Sequence, residues 1–356
     1  MKRIALLGPT GSIGQQALEI VEANPELELA AAASGSQPID GLAPLTQVGG
    51  DLTELLERAQ PDVVLNAVVG FAGLPATLWA LERGVDLALA NKESLVAGGD
   101  LAVSAWNRGG GRILPVDSEH SAAFQLLEGR DADSVDSLVL TASGGPFRGF
   151  GRDELAGITP AEALAHPTWS MGPKITVDSA TLMNKGLELI EARFLFDLPY
   201  ERIEVVVHPT SVVHALVRLR DGAALAHLGY PDMRVPISYA LTYPERASTP
   251  IEPLDLAGGL VLEFSAPDED AFPCLALARA AGEAGGTAPC VLNAANELAV
   301  AGFLDNRLPF TGIPDVVERT LRQVESPPAR DLADLVEIDG EARRVASDLA
   351  REPIAG

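Results

Sequence analysis

Hydrophobic and polar positions along the first third of the chain alternate in the manner of an α/β protein. Short apolar runs occur at KRIALLG (2–8), LELAAAASG (27–35), PDVVLNAVVG (61–70) and VDLALANKES (85–94). Amphipathic segments of helical length lie between them, the first ending near Asn24-Pro25 and another covering residues 73–84. Strands that alternate with helices predict a parallel, doubly wound sheet, so we expect an α/β N-terminal domain with a Rossmann-like, dinucleotide-binding fold.

The pattern changes after ILPVDSEH (113–120). Three further apolar runs predict strands of a second, mixed sheet: DSLVLTASGGPFRG (136–149), IEVVVHPTSVVHALVRL (203–219) and AALAHLGYP (223–231). The segment AHPTWSMGPK (165–174) is too polar and irregular for a helix or strand, and from about residue 270 the pattern is helical. We predict a shortened N-terminal domain at 1–117, an α+β domain with a mixed sheet at 118–242, a linker at 243–270 and a C-terminal α-helical domain at 271–356.

Length, composition and charge exclude several classes of protein to which this chain could belong. The chain has 356 residues, of which 47% are hydrophobic, enough for more than one core and too many for disorder. Its formal charge of −24 argues against general binding to nucleic acid or to anionic membranes. No segment approaches the ~18 uninterrupted apolar residues of a membrane span, and Cys274 and Cys290 form neither a metal-like spacing nor a disulfide framework. We expect a soluble, cytoplasmic protein that holds any anionic substrate with a local cationic cluster.

Lysine is rare in this chain. Only four of its 26 Lys and Arg residues are lysines, namely Lys2, Lys92, Lys174 and Lys185. A lysine that persists against such a bias is expected where a compact, rotatable ammonium group is needed. Lys92 follows the fourth predicted strand directly, at the edge where doubly wound sheets bind their ligands. It is a candidate contact for a phosphate or a nicotinamide, and a solvated loop is the alternative.

A glycine-rich turn follows the first predicted strand. Gly8, Gly11 and Gly14 in GPTGSIG lie between that strand and a helix, where glycines let the backbone approach a pyrophosphate and the helix N-terminus supplies N–H donors. The spacing is GxxGxxG rather than GxGxxG, so a tight turn without a ligand is the alternative. The second strand ends in Ser34-Gly35-Ser36-Gln37 without an acid for a ribose 2′-hydroxyl, which favours NADP, but it also has no arginine or lysine for a 2′-phosphate, so the choice between NADP and NAD stays open.

Two acids follow the strand at 112–116. Asp117 and Glu119 are two residues apart, so on an extended segment both side chains point to one side, and such oxygen donors suit Mg²⁺ or Mn²⁺. The predicted helix DSATLMNKGLELIEAR (178–193) offers Glu188 as a third ligand, with Glu191 three residues on. The alternative is that Lys185 and Glu188 form a helix-surface ion pair.

A second glycine turn and an irregular loop contain further candidate binding residues. ASGGPFR contains Ser143, Gly144 and Gly145, whose N–H groups and hydroxyl can form an anion-binding nest, with an ordinary glycine turn as the alternative. His166 lies in the irregular loop near Trp169, where it suits a lid that closes over a substrate.

Several of these blocks together resemble the 1-deoxy-D-xylulose-5-phosphate reductoisomerase family over nearly the whole chain. They are GPTGSIG, LANKESLV, PVDSEHSAAFQ, SGGPFR, HPTWSMGPKITVDSATLMNKGLELIEA, HPTSVVHALV, GYPDMRVPI and LNAANELAVAGFL. The resemblance implies a step of non-mevalonate isoprenoid synthesis, in which a ketose phosphate is rearranged and reduced by NADPH to 2-C-methyl-D-erythritol 4-phosphate. It also implies a divalent metal, Mg²⁺ or Mn²⁺, and a homodimer built largely through the sheet of the second, catalytic domain.

The resemblance further implies roles for individual residues. The metal ligands are Asp117, Glu119 and Glu188, and Lys185 and His166 join them in catalysis. The substrate contacts are Ser118, Ser143, His166, Trp169, Ser179, Asn184, Lys185 and Glu188, with His166, Trp169 and Met171 in the loop that closes over the substrate. The cofactor contacts are Thr10, Gly11, Ser12, Ile13, Gly35, Asn91, Lys92, Glu93 and Met233.

In one region the chain departs from the family pattern. Family members usually carry a basic residue after the second strand and a further strand–helix unit before the VVLNAVVG counterpart. Here Gly35-Ser36-Gln37 has no cation, and only PIDGLAPLTQVGGDLTELLERAQ precedes the next predicted strand, so we expect a cofactor domain trimmed on its adenosine side.

Two other functions fit parts of the sequence. One is another metal-dependent NAD(P) dehydrogenase acting on a small phosphorylated or semialdehyde substrate, which would not need the acid pair together with a phosphate nest. The other is a nucleotide-sensing binding protein, which would be expected to have lost Asp117, Glu119, Lys185 or Glu188, yet all four are present.

Overall fold

The computed structural model describes residues 1–351, which begin with the expected parallel sheet. Its strands are β1 (Lys2–Leu7), β2 (Leu27–Ser34), β3 (Leu45–Val48), β4 (Val63–Asn66), β5 (Asp86–Leu89) and β6 (Ile113–Pro115). They lie in the order β3-β2-β1-β4-β5-β6, and every neighbouring pair is parallel. The connecting helices are α1 (Ser12–Ala23), α2 (Leu52–Ala59), α3 (Leu74–Glu82) and α4 (Lys92–Gly109). The strand order reverses between β1 and β4, where such sheets bind ligands, so the Rossmann-like prediction is confirmed.

The expectation that this domain lacks a strand–helix unit is wrong. Strand β3 pairs with β2 from Ala31↔Leu45 to Ser34↔Val48, and α2 follows it, with Asp51 accepting from the Thr53 N–H as its N-cap. Strand β3 has only four residues, of which two are hydrophobic, so it carries too little pattern to be recognised. What is short is the connection between β2 and β3, residues 35–44, which contains no helix or strand.

The second sheet is mixed, as predicted. It comprises β7 (Val135–Ala142), β8 (Ile203–Val207), β9 (Val213–Leu219) and β10 (Ala224–Leu228). The order is β10-β9-β7-β8, in which β7 and β8 are parallel and the other two pairs are antiparallel. The helices of this region are α5 (Ser118–Leu127), α6 (Arg152–Leu155), α7 (Pro160–Ala163), α8 (Pro173–Ala180), α9 (Met183–Phe196) and α10 (Arg234–Thr242).

Two local expectations in this region are wrong. Asp117 and Glu119 do not share an extended segment, because the chain turns into α5 at once, with Asp117 as the N-cap and Glu119 in the first turn. The stretch 178–193 is not one helix, because Leu182 has a left-handed backbone (φ 62°) that separates α8 from α9. Asn184, Lys185 and Glu188 nevertheless lie together on α9, within about one turn.

The C-terminal region is helical, as its pattern predicts. Its helices are α11 (Cys274–Ala284), α12 (Ala288–Leu304), α13 (Gly312–Gln323) and α14 (Leu332–Leu349). They share the largest hydrophobic core with β7, β9, α8 and α9, and both cysteines are buried and free. The domain boundaries proposed above stay a prediction. None of the helices formed by residues 1–351 is long and apolar enough to cross a membrane.

Candidate active site

Three carboxylates meet where β6 ends and α9 passes. Asp117 caps α5 and accepts from the main-chain N–H groups of Glu119 and His120, while Glu188 on α9 is fully buried. Two ammonium groups lie between them. The Lys92 Nζ is 3.0 Å from Asp117 Oδ2 and 3.2 Å from Glu188 Oε1, and the Lys185 Nζ is 2.7 Å from Glu119 Oε1 and also pairs with Glu188. The structure thus brings the three predicted metal ligands into one group, which we call the acid cluster (Asp117, Glu119 and Glu188).

The acid cluster is electrostatically unbalanced. Burial raises the pKa of Glu188, and the neighbouring carboxylates of Asp117 and Glu119 raise it further. Burial opposes ionisation of Asp117 too, yet the charges of Lys92 and His120 hold the pKa of that carboxyl well below its usual range. With the neighbouring His120 and Glu191 included, four acids face three cations here, so the site has oxygen donors and a surplus of negative charge. Both properties fit a hard divalent cation such as Mg²⁺ or Mn²⁺.

His120 on α5 contacts α9 next to the acid cluster. It is fully buried; its Nε2 donates to the main-chain carbonyl of Glu188 (2.9 Å), and its Nδ1 lies 2.9 Å from Glu191 Oε2. Burial alone would lower the pKa of His120, but the carboxylates of Glu191 and Asp117 raise it to about 9. The imidazolium therefore fixes the position of α9 against α5.

The second glycine turn lies next to the acid cluster. Gly144 and Gly145 both have positive φ (83° and 67°), and a Cβ at Gly145 would lie 2.9 Å from the Ser179 carbonyl oxygen. The His166 Nδ1 accepts from the N–H groups of Thr168 and Trp169, so its Nε2 carries the proton and lies 3.0 Å from Ser143 Oγ and 3.2 Å from Ser179 Oγ. Burial lowers the pKa of His166, so the ring is neutral near pH 7. Two hydroxyls and a ring N–H converge there, which is the donor set of a phosphate site.

One cavity of about 400 Å³ joins these features to the first glycine turn. A Cβ at Gly14 would lie 2.1 Å from the Gly8 carbonyl oxygen, so only glycine allows α1 to start this close to β1. Of the predicted site residues, those that line the cavity are Ser12, Ile13, Asp117, Ser118, Glu119, Ser143, Trp169, Met171, Ser179, Asn184, Lys185, Glu188 and Met233. Trp169 and Met171, which were predicted to cover the substrate, come from the loop between α7 and α8.

Comparison with known proteins identifies the relatives of this chain. The family model for 1-deoxy-D-xylulose 5-phosphate reductoisomerase matches residues 4–48 and 45–99. The model for the C-terminal domain of 1-deoxy-D-xylulose 5-phosphate reductoisomerase matches residues 113–196, and a further model, the DXP reductoisomerase C-terminal domain, matches residues 228–345. The reductoisomerase of Geobacillus kaustophilus is 48% identical, covering 98% of this chain and 100% of the relative. That of Chloroherpeton thalassium is 45% identical, covering 98% of both. The chain belongs to the 1-deoxy-D-xylulose 5-phosphate reductoisomerase family.

Solved structures of reductoisomerases have the same fold over the whole chain. The Zymomonas mobilis enzyme in complex with NADPH superimposes with a TM-score of 0.90 at 40% identity, covering 99% of this chain and 100% of that one. A reductoisomerase in complex with NADPH, fosmidomycin and magnesium gives a TM-score of 0.91 at 38% identity, covering 99% and 98%. The two N-terminal profile matches meet at β3, directly after the short connection 35–44.

Some residues predicted from the reductoisomerase resemblance lie outside the cavity lining. Thr10 and Gly11 are exposed in the turn beside Ser12, and Gly35 is exposed at the end of β2. Asn91 and Glu93 are buried and bond to other parts of the protein. The ammonium group of Lys92 lies in the acid cluster, and its contact with a cofactor stays a prediction.

Arg234 and the contacts of His120 at the reductoisomerase site were not predicted from the sequence. Arg234 lines the cavity and pairs with Asp232 (2.6 Å) and more distantly with Glu19 (3.7 Å). The signal was available, because Arg234 follows the predicted contact Met233 within the block GYPDMRVPI. The contacts of His120 with Glu188 and Glu191 had no such signal, since they join elements that are far apart in sequence.

Proposed function

We propose that this chain converts 1-deoxy-D-xylulose 5-phosphate to 2-C-methyl-D-erythritol 4-phosphate with NADPH and a divalent metal, Mg²⁺ or Mn²⁺. The observation that carries the proposal is a single cavity in which the acid cluster, the Ser143–Gly145 nest and the glycine-rich turn at α1 all meet. A sugar phosphate that chelates a metal and receives a hydride needs these three sites within one small molecule's length.

Asp117, Glu119 and Glu188 would hold the metal. Bound there, a divalent cation supplies Lewis-acid stabilisation of the negative charge that develops on substrate oxygens during rearrangement. The protein's own contribution is to hold the carboxylates in place: Lys92 and Lys185 balance part of their charge, and Asn184 donates to Glu188 Oε1 at 2.5 Å.

The substrate phosphate would bind to Ser143, Ser179, Asn184 and Lys185, beside His166. The hydroxyls of Ser143 and Ser179 both lie within 3.2 Å of the His166 Nε2, so the three groups share one small volume. Lys185 supplies the compact charge that an overall acidic protein needs to hold a phosphate. Ser118 lies between the two metal-binding acids of α5 and would contact the substrate's reacting end.

NADPH would bind along the turn at Thr10–Ile13, with its reactive end toward Met233 and the acid cluster. The N-terminus of α1 offers free N–H groups and a positive dipole end for its pyrophosphate. NADPH supplies the hydride when bound. Trp169 and Met171 would cover the substrate's carbon chain and exclude water from the reaction.

The test is NADPH oxidation by the purified protein with 1-deoxy-D-xylulose 5-phosphate, with and without Mn²⁺, and with the product identified by mass spectrometry and NMR. We expect turnover that requires the metal and is inhibited by fosmidomycin, which is bound in a related reductoisomerase. A folded protein that oxidises NADPH at the same rate after chelation, or yields no branched product, would refute the proposal and favour another dehydrogenase.

We also propose a homodimer in the cytoplasm. Large apolar side chains are exposed beside the β10 edge and in the segment that follows α10, including Leu228, Tyr230, Leu256, Val261 and Phe264. A surface of this kind is typical of an interface, and two free thiols are typical of a reducing compartment. Light scattering after size exclusion should give twice the chain mass of 37.2 kDa.

A further inference from the structure

The block LNAANELAVAGFL has no part in the cavity, yet it carries buried polar side chains. It lies on α12, where Asn296 is fully buried. Its Nδ2 donates to Asp178 Oδ1 at 2.8 Å. Asp178 lies on α8, directly before the predicted phosphate contact Ser179, so α12 is joined by a buried hydrogen bond to the helix that carries part of the phosphate site.

Lys174 continues this connection toward the cofactor side. Its Nζ lies 2.9 Å from Asp178 Oδ2 and 2.9 Å from Glu93 Oε1. The two acids are nearly inaccessible, at 1% and 8% side-chain exposure, so Lys174 is the counterion that each of them shares. Burial alone would lower the pKa of Lys174, but these two carboxylates hold it well above its usual range.

Glu93 joins Lys174 to the segments that follow strands of the first sheet. Its Oε2 accepts from Asn91 Nδ2 at 3.1 Å, and the same amide donates to the main-chain carbonyls of Val68 (2.6 Å) and Gly70 (2.9 Å). A continuous polar path therefore runs from α12 through α8 to the start of α4 and the loop after β4.

This polar path reaches the end of the loop that covers the cavity, because Lys174 lies directly after that loop. The loop (residues 164–172) is held at one end by His166, which contacts Ser143 and Ser179. Lys174 lies at the other end, in the first turn of α8, two residues past the loop. Trp169 and Met171 lie between the two anchors and line the cavity, while Ala165, Pro167 and Ser170 are exposed.

We propose that Lys174 is a positioning residue that fixes the C-terminal end of the covering loop to the start of α4. The inference rests on the proposed function, because the loop matters only if it covers a substrate. Without the ammonium group, two buried carboxylates on α4 and α8 would face each other unpaired and would move apart or take up protons. Either response shifts the start of α8, and with it Trp169 and Ser179. A misplacement of about 1 Å at such contacts can cost roughly 100-fold in rate.

The experiment compares Lys174→Met with the wild type and with a matched control. Arg322→Met is that control, since Arg322 forms an i,i+4 pair with Glu318 on the exposed face of α13, far from the path in sequence. We expect Lys174→Met to lower kcat/KM for 1-deoxy-D-xylulose 5-phosphate at least tenfold, while the NADPH dissociation constant, measured from NADPH fluorescence, changes less than about threefold. Arg322→Met should match the wild type in both.

A second readout does not depend on activity. Limited chymotrypsin digestion next to Trp169 should be faster in Lys174→Met than in the wild type, because one loop anchor is lost. If Lys174→Met fails to fold, the neutral triple variant Lys174→Met/Glu93→Gln/Asp178→Asn, which buries no unpaired charge, should fold and show the same faster cleavage. Wild-type cleavage and wild-type kcat/KM in these variants would overturn the inference. An inactive wild type combined with faster cleavage would refute the proposed function and leave the positioning role supported.

Discussion

His120 donates a hydrogen bond from Nε2 to the main-chain carbonyl of Glu188 at a distance of 2.9 Å. Its Nδ1 lies at ion-pair distance, 2.9 Å, from Glu191 Oε2. One nitrogen of His120 is still close enough to Asp117 and Glu188 to form a geometrically possible metal site with them. Because His120 contacts α9 through both Glu188 and Glu191, we propose that Glu119 rather than His120 is the third ligand, and that His120 holds α9, and thus Glu188, in place.

The assignment predicts how His120→Gln behaves. Glutamine keeps a donor for the Glu188 carbonyl but removes the positive charge between Asp117 and Glu191, so the ligands are held less firmly. Changes to groups that orient metal ligands typically lower metal affinity about 10- to 100-fold. We expect a loss of that size in Mn²⁺ affinity, measured by electron paramagnetic resonance of free Mn²⁺. A complete loss of Mn²⁺ binding would mean that His120 is itself a ligand.

Glu119→Gln and Glu188→Gln should each abolish turnover. An amide keeps the shape of the side chain but removes the negative charge on which a hard cation depends. NADPH binding, measured by fluorescence titration, should stay nearly intact, because the glycine turn at α1 is untouched. Glu318→Gln on the exposed face of α13 serves as the control and should be fully active. An equal loss of NADPH affinity in the two active-site variants would count against the metal assignment.

The sequence was informative where chemistry and local pattern coincide. Asp117 and Glu119 stand out because two acids follow a buried strand, and Ser143–Gly145 because a glycine pair follows another. The orientation of the acids was not predictable, since it depends on α5 starting at Ser118, and a four-residue strand such as β3 gives almost no periodic signal. Contacts such as Lys174 with Glu93 join residues 81 positions apart, so only the folded chain reveals them.

His214 on β9 and His227 on β10 predict that the folded protein loses stability in acid. Burial, and beyond it the nearby charges of His214 and Arg246, lowers the pKa of His227 to about 4, against about 6.5 in an unfolded chain. Between these values the unfolded state binds more protons, so the stability contributed by neutral His227 is complete above about pH 6.5 and is lost as the pH falls toward 4. His214, whose pKa is also lowered to about 4 by burial, acts in the same direction.

The measurement is urea unfolding at about pH 7 and about pH 5. Between about pH 6.5 and pH 4, each such histidine lowers the free energy of unfolding by up to about 1.4 kcal/mol for each pH unit that the pH falls. His227→Gln cannot take up a proton, so its free energy of unfolding should fall less between the two pH values than that of the wild type. Equal losses in the two proteins would show that His227 titrates alike in the folded and unfolded states.

The end of β2 offers an unusual surface to the adenosine side of the cofactor. No lysine, arginine or histidine occurs between residues 4 and 57, and Gly35, Ser36 and Gln37 are exposed. A Cβ at Gly35 would meet no atom within 4 Å, so the space above the strand end is open. The Ser34 hydroxyl is already engaged by the Gln37 carbonyl. A ribose 2′-phosphate placed there would meet neutral donors from this segment, whereas NADP sites usually supply an arginine.

We therefore expect the preference for NADPH over NADH, as a ratio of kcat/KM values, to be modest, on the order of tenfold or less. A hydrogen bond to a charged group contributes about 1.5–3 kcal/mol, so adding one should raise the ratio about 10- to 100-fold. Gln37→Arg places a guanidinium at the exposed end of β2 and is expected to have this effect, while Gln60→Arg, at the end of α2, should leave the ratio unchanged. A wild-type ratio far above 100, insensitive to Gln37→Arg, would mean that a cation from another part of the chain already binds the 2′-phosphate.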